Sequence, residues 1–89
     1  MNNETQIRYS DFVRTFSVVS VKKDNTVAKS RLRFNPFLVS SYYESFYQNE
    51  GVEIPITIAI VGGASYMVDM TIEEFDDMMS KVDRGMKIE

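Results

Sequence analysis

The stretch from Thr57 to Met79, TIAIVGGASYMVDMTIEEFDDMM, constrains the fold more than any other part of the chain. The near-continuous apolar run over residues 56–61 is typical of a strand buried on both faces. Gly62 and Gly63 follow it, and glycine accepts the positive φ angles that a tight hairpin turn requires. Residues 64–70 then alternate as a returning strand would. The stretch therefore predicts an antiparallel hairpin.

A helix is predicted directly after this hairpin. Thr71 suits the N-cap position, and Glu74, three residues later, completes a capping box. Acidic residues crowd the first turn, where the helix dipole favours negative charge. Gly85 is the expected C-cap. An apolar stripe at helical spacing is formed by Ile72, Phe75, Met78, Met79 and Val82.

The first part of the chain predicts a second hairpin. Residues 9–22 are rich in Val, Phe and Thr and are apolar on both faces, which indicates a central strand. Residues 23–25, Lys-Asp-Asn, favour a turn. Residues 26–34 then return as a strand, and because side chains alternate along a strand, its two faces differ. One face carries Ala28, Ser30, Leu32 and Phe34, and the other carries Lys29, Arg31 and Arg33.

Residues 37–48, FLVSSYYESFYQ, fit either a strand or a helix, and their aromatic and β-branched content favours a strand. As a strand they place Phe37, Val39, Ser41, Tyr43, Ser45 and Tyr47 on one face. Residues 49–55 are expected to form a loop around Gly51. The predicted fold class is α+β, a small antiparallel sheet of about five strands with one C-terminal amphipathic helix packed on it. Residues 1–8 are expected to be a flexible tail, and residues 9–89 a single domain.

The chemistry of the side chains argues against an enzyme. The chain has no histidine, no cysteine and no tryptophan, so the usual general base and the common nucleophile pairs are missing. The acidic cluster EEFDD, residues 73–77, favours a solvated helix start over a Mg²⁺ site. The Gly62–Gly63 pair lacks the lysine and the following helix of a phosphate-binding loop. We therefore expect no cofactor and no metal.

Charge is divided unevenly along the chain. The net charge is −3, yet residues 8–34 carry seven basic and two acidic side chains, whereas residues 35–89 carry three basic and ten acidic ones. Either the two parts neutralise each other within one chain, or the basic part of one copy meets the acidic part of another. A short chain also has a small core, so self-association into a homo-oligomer is expected.

Composition also limits the partners and the compartment. The acidic pI of about 4.9 disfavours duplex nucleic acid. No apolar run approaches the ~20 residues needed to cross a membrane. The polar N-terminus lacks the apolar core of a signal peptide. These features predict a cytoplasmic protein with no membrane partner.

Two segments are candidates for binding. Lys29, Arg31 and Arg33 would form a row of cations about 6.6 Å apart on one strand face, suited to phosphate or carboxylate groups, although such a row is also typical of an ordinary solvated edge. The segment 40–47, SSYYESFY, is rich in tyrosine, which is enriched at interfaces. The predicted binding residues are Lys29, Arg31, Arg33, Tyr42, Tyr43 and Tyr47.

Two functions are compatible with these features. The first is a non-catalytic interaction module, homo-oligomeric and binding a protein partner, of the small accessory or inhibitor type found in bacteria and phages. The alternative is a small-ligand binder that sequesters an anionic nucleotide between subunits, held by the cations and a tyrosine. Single-strand nucleic-acid binding is a third, less favoured hypothesis.

Overall fold

A computed structural model describes residues 13–87 of the chain, with the side chains of residues 13–82. It confirms the α+β fold, a five-stranded antiparallel sheet with one C-terminal helix. The predicted tail, residues 1–8, lies outside the described residues. The elements are β1 (Arg14–Val21), β2 (Val27–Phe34), a 3₁₀ turn (Pro36–Leu38), β3 (Val39–Asn49), β4 (Val52–Val61), β5 (Ala64–Val68) and α1 (Ile72–Lys87).

The sheet joins two hairpins through one short strand. Its strand order is β2-β1-β5-β4-β3, so the β1–β2 hairpin lies at one side and the β3–β4 hairpin at the other. The central position predicted for β1 is confirmed. Strand β5 pairs with β4 over all its five residues but registers with β1 only at Val18–Val68 and Val19–Met67. Within the described residues, β2 and β3 are the two edge strands.

The main core lies between the sheet and α1, on what we call the helix face. Phe16 and Phe34 stack with ring centroids 4.3 Å apart, and Phe75 of the helix is fully buried against them. Ala59 and Val68 complete the buried set. The alternation of β2 is as predicted, because Phe34 and Leu32, which is paired with Phe16, lie on this face.

A second, smaller core lies on the opposite side of the sheet, which we call the concave face. Val19, Tyr47 and Ile56 are buried there. Val27 packs against the same cluster, although it belongs to one edge strand and Tyr47 to the other. The turns of both outer hairpins line one cleft of about 450 Å³, so the sheet curls and its two edges approach each other.

Two tight turns close the hairpins of the second half. Gly62 and Gly63 have φ angles of 57° and 83°, which confirms the predicted hairpin turn. The expected loop over residues 49–55 is wrong. Glu50 and Gly51, with φ angles of 52° and 78°, form another two-residue turn, and β4 begins at Val52.

Pro55, the last residue of the expected loop, lies inside β4. It is opposite Phe46 of β3, at a position where the backbone nitrogen points away from β3. On that other side β4 pairs with β5 only from Thr57 onwards. The missing N–H of proline therefore removes no ladder hydrogen bond.

The ambiguous segment 37–48 is a strand from Val39, as favoured, but its predicted face is only partly correct. Phe37 lies in the 3₁₀ turn, where its N–H donates to Asn35 Oδ1 at 2.9 Å. The register shifts between Val39 and Ser41, which places Val39 on the helix face. After the shift, the predicted alternation holds.

The helix begins as predicted. Thr71 N–H donates to Glu74 Oε1 at 2.9 Å, and Glu74 N–H donates to Thr71 Oγ1 at 3.1 Å, a complete capping box. The predicted end at Gly85 is wrong, because the helix continues to Lys87. A glycine weakens a helix without necessarily ending it. Over residues 13–87, no helix has the length and apolar character needed to span a membrane.

Candidate functional site

The basic stripe, which we define as Lys29, Arg31 and Arg33, lies on edge strand β2. All three side chains are exposed. They share the concave side of the sheet, since Lys29 is paired with Val19 and Arg31 with Ser17. Neighbouring members are two residues apart, about 6.6 Å along the strand. The structure thus keeps the three cations on one face of one strand.

The same three residues, together with Val27, have their backbone N–H and C=O groups at the free edge of β2. In an antiparallel pair, hydrogen-bonded and non-hydrogen-bonded residue pairs alternate. Ser17 is paired with Arg31, yet its carbonyl accepts from Asp69 N–H at 2.8 Å, on the β5 side. The Ser17–Arg31 pair is therefore non-hydrogen-bonded, and the N–H and C=O of Arg31 point to the outer edge. Because the pattern repeats every two residues, the backbone N–H and C=O groups of Lys29 and Arg33 also point to the outer edge.

The three cations differ in how far they are neutralised. Lys29 Nζ lies 3.0 Å from Asp69 Oδ2. The hydrogen bond and the charge of Asp69 raise the pKa of Lys29, with a smaller contribution from Tyr47. In the part of the chain that the structure describes, Arg31 and Arg33 form no ion pair. The two arginines are thus the members most available to an anion.

Tyr42 has a structural role on the helix face. Its hydroxyl donates to Asp76 Oδ1 at 2.6 Å, and its ring lies 4.6 Å from that of Phe75 between centroids. The hydrogen bond to Asp76 is the main cause that raises the pKa of Tyr42, followed by desolvation. Tyr42 therefore fastens β3 to α1 and lies on the opposite side of the sheet from the basic stripe.

Tyr43 and Tyr47 lie on the concave side with the basic stripe, but in different surroundings. Tyr47 is buried in the second core and is one of the smaller causes that raise the pKa of Lys29. Tyr43 is 55% exposed. The cross-sheet row that contains it runs Lys29, Val19, Met67, Ile58, Tyr43. Four strand spacings, about 19 Å along the sheet, separate its ends.

This separation bears on the nucleotide hypothesis. Arg31 and Arg33 lie on one edge strand and Tyr43 on the other. The hypothesis of a nucleotide held between subunits takes the arginine from one copy and the exposed tyrosine from another. Tyr47, which does lie near Lys29, is buried and offers no free ring face for stacking.

The edge of β3 was not singled out by the sequence as an edge. The strand is 11 residues long, and Glu44 is its only charged residue. The turn at Glu50 and Gly51 closes on the pair Asn49–Val52, which exchanges both hydrogen bonds in a two-residue hairpin. By alternation, the outward backbone groups belong to Tyr42, Glu44, Phe46 and Gln48.

Apolar surface is exposed beside this edge. Phe46 is 48% exposed and Val21, from the end of β1, 42% exposed. They line an open cleft of about 670 Å³ together with Tyr47 and Met67. The run of residues 39–49 with neither a lysine, an arginine nor a proline is the signal by which the sequence could have indicated an unprotected edge.

The acidic cluster at the helix start is occupied by interactions within the chain. Glu74 belongs to the capping box, Asp76 accepts from Tyr42, and Asp77 lies 3.1 Å from Lys81. Among the described residues, no group of three or more acidic, histidine or cysteine side chains is arranged to hold a metal ion. No known protein family, curated protein or solved structure matches the chain.

Proposed function

We propose that the protein is a non-catalytic interaction module that binds an acidic, extended segment of a partner protein along the outer edge of β2. The observation that carries this proposal is the coincidence at Lys29, Arg31 and Arg33. Each of these residues has its backbone N–H and C=O at the free edge and a cationic side chain beside them on the concave face.

The mode of binding is strand addition, in which an extended peptide extends a sheet through main-chain hydrogen bonds. A residue placed opposite Arg31 would have its Cβ about 5 Å from that of Arg31. Aspartate or glutamate at every second position of the peptide would therefore lie beside the cations. Each opposite-charge pair contributes roughly 0.2–1 kcal/mol, in addition to the backbone bonds.

The positive charge also limits which strands β2 accepts. Like charges directly opposite each other destabilise a strand pair, so two β2 edges do not pair readily with one another. A lysine- or arginine-bearing edge is protected against indiscriminate pairing. An acidic strand removes that repulsion, and the partner is thus selected by charge.

The proposal is tested by titrating the isotope-labelled protein with synthetic peptides and following its backbone amide resonances by NMR. The test peptide has eight residues, the length of β2, with glutamate and threonine alternating. A control peptide has the same composition with its glutamates in one block. We expect the alternating peptide to shift the amide resonances of Lys29, Arg31 and Arg33 more strongly than the block peptide does.

Two matched variants separate the site from general charge attraction. Arg31→Glu reverses a charge at the centre of the basic stripe and is expected to abolish binding. Lys23→Glu makes the same charge change in the β1–β2 turn, at an exposed position, and is expected to keep it. Arg31→Lys should be only partly tolerated if the arginine makes a bidentate contact. Equal binding by Arg31→Glu and Lys23→Glu would contradict the proposal.

A nucleotide panel distinguishes the alternative. If a nucleoside phosphate shifts the resonances of Arg31 and Tyr43, and the alternating peptide shifts neither, the small-ligand hypothesis replaces the peptide hypothesis. Thermal shift measurements with the same panel provide a second readout, because a ligand that binds only the folded protein raises its melting temperature.

A further inference from the structure

The β3 edge has the properties of a strand that pairs with another strand. It is long, its outward N–H and C=O groups meet no other strand in the described part of the chain, and it lacks the lysines and prolines that protect natural edges. Its exposed side chains include Tyr43 and Phe46, which are 55% and 48% exposed. An edge with these properties is a template for pairing with another strand.

We infer that the occupant is a second copy of this chain, paired antiparallel along β3 about a two-fold axis at Ser45. This interface is separate from the β2 edge and does not depend on the function proposed for it. It would join two five-stranded sheets into one continuous sheet.

The alternation of β3 restricts the possible registers. Outward-pointing residues must face one another, so an even residue pairs with an even residue. An axis at Glu44 would place that carboxylate directly opposite itself, which is destabilising. An axis at Tyr43 or at Phe46 leaves part of the outward edge without a strand residue opposite it.

An axis at Ser45 avoids both problems. It pairs Glu44 with Phe46 of the second copy, and Tyr42 with Gln48 of the second copy. All outward groups of β3 are then used, which gives about eight backbone hydrogen bonds between the copies. The residue at the axis itself has a small side chain, which suits the close approach of a non-hydrogen-bonded pair.

On the concave side, this arrangement covers part of the exposed Tyr43. Tyr43 of one copy lies beside Tyr47 of the other, at a non-hydrogen-bonded pair where side chains are closest. The exposed ring of Tyr43 is thereby partly covered, and by symmetry the contact occurs twice.

Single-cysteine variants test the axis directly, because the chain contains no cysteine. In the proposed dimer the two Cα atoms of residue 45 are about 4.5 Å apart, within the range that a disulfide spans. Ser45→Cys should therefore form a disulfide-linked dimer under mild oxidation. The matched control is Ser41→Cys on the same strand and the same face. Its two copies are about eight residues apart, roughly 27 Å, and should not cross-link.

Charge placement gives an independent test. Phe46→Glu puts a glutamate opposite Glu44 of the second copy, twice per dimer, and is expected to weaken dimerisation about tenfold. Phe46→Lys puts a lysine there instead and is expected to retain the dimer. In a register with Phe46 opposite itself, both variants would weaken it. Circular dichroism checks that each variant folds.

Three results would overturn the inference. The first is a monomer mass by light scattering for the unmodified chain at the highest concentration measured. The second is a dimer in which Ser45→Cys cross-links no faster than Ser41→Cys. The third is equal weakening by Phe46→Glu and Phe46→Lys. Rapid cross-linking of Ser45→Cys together with retention of the Phe46→Lys dimer supports the inference.

Discussion

The two edges of the sheet have the same backbone chemistry and opposite side-chain chemistry. Strand β2 has eight residues, and the three residues that carry its cations also have free backbone groups at the edge. Strand β3 has 11 residues and a single charged side chain, Glu44. Both edges offer unpaired N–H and C=O groups within the described residues, so hydrogen bonding alone does not distinguish them.

The difference shows how side-chain charge decides which strand an edge accepts. A cationic edge repels its own kind and accepts an acidic strand. A nearly neutral edge with exposed aromatics can accept an identical strand when one register keeps like charges apart. In this protein the two proposed interfaces use different edge strands of one sheet.

The largest effect is expected when the charge difference between the edges is removed. In the triple variant Lys29→Thr, Arg31→Thr, Arg33→Thr, β2 keeps its β propensity but loses the charges that prevent self-pairing. With two self-pairing edges on each copy, the chains can add to one another without limit and form an open assembly. We expect particle mass in light scattering to rise continuously with concentration and time.

The control for this variant removes the same charge elsewhere. Lys22→Thr, Lys23→Thr and Lys81→Thr together change the net charge equally and lie outside both edge strands. This control should have the particle mass of the unmodified protein. If both triple variants behave alike, net charge and not the edge controls assembly.

Local patterns were sufficient to predict much of the fold. The capping box at Thr71 and Glu74 and the turn at Gly62 and Gly63 depend on residues within a few positions of each other. The alternation in β2 is equally local, so the shared face of the basic stripe followed from the sequence. These features do not depend on which strands become neighbours.

The features that the sequence did not predict depend on long-range contacts. The register shift between Val39 and Ser41 has no residue signature and changes which face Val39 occupies. Tyr42 and Tyr43 are chemically identical, and only the position of α1 makes one of them structural and the other exposed. That β2 and β3 are edges follows from the strand order, which single-residue preferences do not encode.

The second prediction concerns β5, the strand that connects the two outer hairpins. The turn before β5 has Gly63 at a φ of 83°, which β-branched residues resist. Gly63→Val should lower the free energy of unfolding by about 2 kcal/mol. A Cβ at this position meets no atom within 4 Å, so the cost is backbone strain and not a steric clash.

Gly63→Asn is the matched control, since asparagine tolerates positive φ better than valine does. Chemical denaturation of both variants measures the difference. A Gly63→Val protein as stable as Gly63→Asn would mean that the turn conformation is not what the φ angles indicate.

The third prediction concerns Tyr42, which joins the β3 edge to the helix through a hydrogen bond, whereas β2 packs against the helix-face core through Phe34 and Leu32. Tyr42→Phe removes the hydrogen bond to Asp76 and should cost about 1 kcal/mol at neutral pH. Because the pKa of Tyr42 is raised above 10.0 in the folded protein, its contribution is fully present below that pH. It is lost as the pH rises through the folded-state pKa.

Urea unfolding of both proteins at neutral and at strongly alkaline pH measures this dependence. The stability difference between the unmodified protein and Tyr42→Phe should shrink at alkaline pH, because ionised Tyr42 no longer donates to Asp76. All other ionisable groups are the same in both proteins, so their effects largely cancel in the difference. A difference that stays constant with pH would show that Tyr42 acts only through its packing on Phe75.

The smallest expected effect concerns the turns at the tips of the two edge hairpins. Asn25 in the β1–β2 turn has a φ of 69°, and Glu50 in the β3–β4 turn has a φ of 52°. Asparagine adopts this left-handed region several-fold more often than most residues do, whereas glutamate has no such preference. Glu50→Asn should therefore stabilise the fold by about 0.5 kcal/mol, and Asn25→Glu should destabilise it by a similar amount. Denaturant midpoints with unchanged slopes would report both changes. Shifts of the same sign would mean that the side chains, not their backbone conformations, determine the stability of these turns.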